Sequence, residues 1–171
     1  MKNMLDSRGP PWRGLGLTAA LLVALFLPAC GDDSTTIPDV PRAVILVTVE
    51  PNPVIGVQNG LTGSVSAAYV VQIRELAGLG ATISFVNSTT FDPETGIQVA
   101  TSYFDSADLK VFVGSDRLEP NGELDVPQTS TYSLPDFRVN ADLTVYVQAV
   151  DDRGTLINQS ILVRIIPPPE E

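Results

Sequence analysis

A chain of 171 residues with 20 acids, 10 bases, one cysteine and no histidine has few chemistries open to it. Histidine-based catalytic triads cannot be built from it, nor can the usual zinc or non-haem iron centres, which lean on imidazole or thiolate. Its net charge of −10 repels phosphate backbones, so no nucleic acid is expected as a partner.

In chain order, the first residues are mostly basic, with Lys2, Arg8 and Arg13 against Asp6. An apolar run, "LGLTAALLVALFL", covers residues 15–27. It is shorter than the roughly 20 residues a helix needs to span a bilayer, and it has the length of a signal-peptide core. "LPAC" (Leu27, Pro28, Ala29, Cys30) closes it. This tetrapeptide resembles the bacterial lipobox, although proline is an unusual choice at its variable place. The resemblance implies that residues 1–29 are a lipoprotein signal peptide and that Cys30 is the lipid attachment point. It would carry a diacylglyceryl group on sulfur and an acyl chain, palmitate for example, on the new amine. Each buried methylene then adds about 0.8 kcal/mol of membrane attachment. Gly31 stands at the sorting position, where an aspartate would retain the protein in the inner membrane. A cell-envelope address follows, at the outer membrane of a two-membrane bacterium, on its periplasmic or surface face. Losing residues 1–29 removes three bases and one acid, which leaves 19 acids against seven bases.

After Cys30, "GDDSTTIPDVP" (residues 31–41) has two prolines and no apolar period, so residues 30–41 are expected to form a flexible tether. Eleven residues reach about 35 Å when extended. A single domain is expected over residues 42–166, and "PPPEE" (residues 167–171) stops the fold as a disordered tail. Within the domain nearly everything reads as strand. "SVSAAYVVQIRE" puts Val65, Ala67, Tyr69, Val71 and Ile73 on one face; "DLTVYVQAV" does the same with Leu143, Val145, Val147 and Ala149. "LINQSILVRI" repeats the device with Ile157, Ile161, Val163 and Ile165. Shorter candidates are residues 44–49, 81–87, 97–103 and 110–113, with "TSTYSL" near Tyr132 weaker. "EPNP", "AGLG", "DPETG", "EPNG" and "DDRG" supply turns between them. No window after the tether shows a helical period, so no helix is expected.

Alternating faces at this density imply an all-β Greek-key β-sandwich of about seven to nine strands. "LTVYVQAVDDRG" is similar to the sixth strand and following turn of fibronectin type III and related bacterial immunoglobulin-like domains, through Val145, Val147, Ala149, Asp151 and Gly154. Leu143 stands where such domains carry a corner tyrosine. "LEPNGELDVP" also resembles a stretch common in secreted bacterial sandwiches. The resemblance implies an immunoglobulin-like, fibronectin III-like fold and no particular ligand.

Few side chains offer chemistry. Lys110 is the one lysine after the leader and reads as a solvated strand residue beside Val111 and Phe112. Calcium takes loop oxygens, and three acidic clusters could supply them: Asp92 with Glu94, Asp105 with Asp108, and Asp151 with Asp152. None has the spacing of a dedicated calcium loop, and solvated turn acids are the plainer expectation. Among aromatic residues Tyr69 shares the buried face, whereas Tyr146 falls on the opposite one and is the one weak binding candidate.

The expectation is therefore a lipid-anchored binding or interaction module of the cell envelope, with no catalytic activity and no required cofactor. Its partners would be the membrane, through the lipid, and another envelope protein, through loops or a free sheet edge. A structural spacer is the alternative, and an enzyme working through paired carboxylates a remote one.

Overall fold

The computed structural model describes residues 41–169. Cys30, the signal peptide and all but the last residue of the tether lie outside them. The strands are β1 (Ile45–Glu50), β2 (Val54–Gln58), β3 (Val65–Glu75), β4 (Ala81–Phe91), β5 (Gln98–Asp105), β6 (Arg117–Leu118), β7 (Glu123–Tyr132), β8 (Ala141–Asp151) and β9 (Leu156–Ile166). One short helix, α1 (Ser106–Phe112), follows β5.

The strands form an immunoglobulin-like β-sandwich. In one sheet β3 pairs antiparallel with β7 on one side, and with β1 and then β2 on the other. The second sheet runs β9, β8, β4, β5, all antiparallel, with β6 beside the start of β4. Strand β2 joins the two: Gly56, Val57 and Gln58 pair with β3, while Val54 and Ile55 pair in parallel with Ile165 and Ile166 of β9. The inward residues of β3 (Val65, Ala67, Tyr69, Val71, Ile73) and β8 (Leu143, Val145, Val147, Ala149) are all buried. Burying each aliphatic side chain contributes about 1.5–3 kcal/mol, and with no disulfide among the described residues this core carries the fold.

Four sequence expectations need correction. Residues 110–113 are not a strand. Lys110 lies in α1, where its Nζ pairs with Asp116 at 3.0 Å. The helix starts because Asp105 accepts hydrogen bonds from the N–H groups of Ala107 and Asp108, while the Asp108 carboxylate accepts from the N–H of Asp105. At seven residues it is too short to imprint a period on the sequence. "TSTYSL" is strand only to Tyr132, where the ten-residue β7 ends, and the strand starts earlier, at Glu123, with Gln128 and Ser130 buried on its inward face. Strand β2 was hidden behind Pro51 and Pro53. Finally, a corner tyrosine does exist, on β7 instead of β8. Tyr132 is 3% exposed, and its hydroxyl donates to the carbonyl of Val139.

Buried carboxylates staple the end where β1 begins. Glu75 is 2% exposed and accepts from the N–H groups of Val44, Ala77, Gly78, Leu79 and Asn121 at 2.7–3.2 Å. Burial pushes its carboxyl up, but these donors outweigh that and hold it below the usual carboxylate range.

Candidate interaction edge and its aromatic face

The six acids considered for calcium are spread over three places, and their oxygens already have donors. Asp92 is buried and held by both Arg138 nitrogens at 3.1 and 3.2 Å, with further bonds from the Glu94 N–H and the Thr95 hydroxyl. Glu94 also faces Arg138, at 2.9 Å. Asp105 and Asp108 cap α1. Asp151 is buried and accepts from the N–H groups of Ala43, Arg153 and Thr155; Asp152 forms a two-pronged pair with Arg117. The Arg138 guanidinium lowers the Asp92 carboxyl most, and that of Arg117 does the same for Asp152. Among the described residues no three acids gather as a metal site would require.

A surface hollow of about 340 Å³ contains two carboxylates, Glu94 and Asp142. Each pairs with its own arginine, Glu94 with Arg138 at 2.9 Å and Asp142 with Arg164 at 3.9 Å.

Tyr146 has company that the sequence did not reveal. On the outer face of the second sheet its ring packs on Phe85 at 5.6 Å between centroids, and Phe85 packs on Tyr103 at 5.3 Å. The three rings come from β8, β4 and β5, adjacent strands. Phe85 reaches this face because the pairing of β4 with β8 shifts between Ile83 and Phe85. Ile83 points into the core, and past the bulge Val86, Ser88 and Thr90 do so instead. At these spacings the rings spend their inner faces on one another, which makes a stiff rib across the sheet. Asn87, Gln148 and Asn158 flank it, and the Gln148 amide donates to Asn158 Oδ1 at 3.1 Å.

The most chemically open part of this sheet is the outer edge of β9. Of its eleven residues, only Ile165 and Ile166 have a hydrogen-bonded strand on that side among the described residues. Residues 156–164 form no ladder there, although β1 of the other sheet packs close beside β9. The inward-facing Ile157 and Ile161 are only half-buried, and Gln159 between them is exposed. A hollow of about 400 Å³ runs beside this edge, lined by residues 42–45 and 155–159. Edge strands are normally guarded by lysine, proline, bulges or brevity. The other edges have such guards. Strand β7 has Pro127 with Glu123 and Asp125; β1 is six residues long and ends at Pro51; β5 has a bulge against β4 and is followed directly by α1. The stretch "LINQSILV" (residues 156–163) has no charge, no proline and no bulge.

No family model matches the chain, and no curated protein matches it. Solved structures do. An X-ray structure of a structural-genomics consortium target aligns over 72% of this chain and 87% of its own, at 16% identity and a TM-score of 0.56. A crystal structure described as the ApaA protein from Bordetella pertussis aligns over 77% and 99%, at 14% identity and a TM-score of 0.59. The likeness is one of fold. A CARDB domain from Pyrococcus furiosus, solved with two metal ions, aligns at a TM-score of 0.39 and 13% identity, too loosely to transfer anything.

Proposed function

We propose that this chain is a non-catalytic interaction module of the bacterial cell envelope, anchored through lipid on Cys30, that binds an extended protein segment by strand addition to β9. The observation that carries the reading is the unguarded outer edge at residues 156–164. An added strand would satisfy its free backbone groups and cover Ile157 and Ile161, with main-chain bonds giving affinity and alternate side chains giving selectivity. The rib of Phe85, Tyr103 and Tyr146 stiffens the sheet behind this edge, so little order is lost on binding. The leader and "LPAC" support the address, and Gly31 supports the outer membrane. The reading requires no cofactor.

A photo-crosslinking residue at Ser160 of the full-length chain, expressed in its own envelope, tests the edge. Adducts are expected at Ser160 and not at Thr129, an exposed residue of the guarded β7 edge. A lysine at the exposed Gln159, which aims charge at the added strand, should remove them. No adduct at Ser160, or equal adducts at both positions, would leave the chain a spacer. Acyl labelling that is lost in Cys30→Ser tests the anchor separately.

A further inference from the structure

Among the described residues, the buried side chains that are polar but uncharged all lie on β4 and β7: Ser88 and Thr90 on one strand, Gln128 and Ser130 on the other. Buried polar groups in folded proteins nearly always have a hydrogen-bond partner. Two groups here have none among the described residues, the Ser88 hydroxyl and the Gln128 amide nitrogen. We propose that the seam between β4 and β7 is a binding site for one internal water molecule, held by Ser88, Gln128 and Tyr69.

The seam closes directly at one step and not at the next. Thr90 and Ser130 bond each other at 2.6 Å. Ser88 and Gln128 are the inward positions two residues before them, and they make no such bond. Tyr69, buried on β3, brings them to one place. Its hydroxyl donates to Gln128 Oε1 at 3.3 Å. Burial pushes that hydroxyl up, and the Ser88 hydroxyl beside it pulls it down. Turning the Gln128 amide over would exchange which of its two atoms is left over, and would still leave one. Water suits this place and an ion does not. The converging groups are uncharged, and the next inward residues on the three strands are Val71, Val86 and Val126, all fully buried, so nothing would neutralise an ion. An internal water makes about three hydrogen bonds, the number these groups offer. A groove of about 490 Å³, lined in part by Tyr69, Gln128, Ser102 and Phe104, lies outside the seam, so a local opening beside β5 would let the water exchange.

The full-length mature chain tests this in two ways. A crystal structure that resolves ordered water should show a density peak within hydrogen-bond distance of Ser88 and Gln128. In Ser88→Val a methyl group takes that volume, and relaxation dispersion of the solvent oxygen, which counts long-held internal waters, should fall by one water. Ser88→Ala should lower the Tm by about 3 °C, since the water loses a partner. A hydroxyl buried with no partner would instead raise the Tm on removal, because its desolvation cost is relieved. No density at the seam, a dispersion unchanged in Ser88→Val, or a Tm that does not fall in Ser88→Ala overturns the proposal.

Discussion

The hydroxyl of Tyr132, at the end of β7, donates to the carbonyl of Val139, seven residues on and just before β8. This one bond closes a loop that contains two consecutive non-glycine residues with left-handed backbone, Asp136 and Phe137, at φ 56° and 54°. Such conformations cost about 1–2 kcal/mol each and persist only when their surroundings hold them. Here the Gln58 amide also holds the Phe137 carbonyl, at 2.8 Å, and Arg138 is held by Asp92.

Removing only the hydroxyl should therefore be felt. Tyr132→Phe is expected to cost about 1–2 kcal/mol, because the Val139 carbonyl loses its partner in a partly buried setting. Urea unfolding should show a lowered midpoint with an unchanged slope. A loss below about 0.3 kcal/mol would mean that the corner bond does not hold the loop.

Acid should unfold the protein in a defined window. Glu75, Asp92, Asp116 and Asp151 all have folded-state carboxyls below their ordinary values. A depressed folded value means that the stabilisation is complete above the unfolded value of about 4 and is lost as pH falls through the folded one. The denaturant midpoint should stay flat from neutrality to about pH 5 and fall steeply below about pH 4. Glu75→Gln should cost about 2 kcal/mol at pH 7, since the amide keeps one acceptor oxygen and turns an NH2 toward the N–H donors that the second oxygen served, and should make the acid decline shallower. An identical acid decline in the variant would assign the linkage to the depressed aspartates, Asp92, Asp116, Asp151 and Asp152.

The start of α1 depends on Asp105. Asp105→Ala should cost about 1 kcal/mol, the usual loss for an N-cap. Hydrogen exchange should accelerate at Ala107 and Asp108 and not in β3. If protection of those amides is unchanged, the packing of the buried Leu109 holds the helix without its cap.

The aromatic rib should behave as a coupled unit. In a double-mutant cycle with Phe85→Leu and Tyr146→Leu, the two rings should show about 1 kcal/mol of interaction energy. Phe85→Leu should also cost more than Tyr103→Leu, because Phe85 touches both neighbours. Additive losses would reduce the rib to three independent apolar contacts.

Strands β3 and β8 are legible in the sequence because their alternation is unbroken: the inward residues are apolar up to Ile73 and Ala149, and only the last inward position of each, Glu75 and Asp151, is a buried carboxylate. Strand β4 is legible as a strand over residues 81–87, but its facing only to Ile83, since the bulge reverses which side chains face the core, and that reversal hid Phe85. Strand β7 hides its period because Gln128 and Ser130 sit inside, where Tyr69 donates to Gln128 and Ser130 bonds Thr90. The sequence shows β9 as a strand, but whether its edge has a partner depends on where β1 and β2 go. Pro51 and Pro53 decide that through a crossing between sheets which no local pattern announces.

The crossing by β2 has a mechanical consequence. The chain joins the sandwich beside Asp151, where the Ala43 N–H meets that carboxylate, and leaves it beside Ala141, opposite Ile165. Those points lie a strand length apart, about 33 Å at the usual rise. Tension between them runs along β1 and β9 lengthwise. The rungs to β3 and β8 are strained together in shear and are not opened one by one like a zip, so a domain without a single crosslink can still resist being pulled.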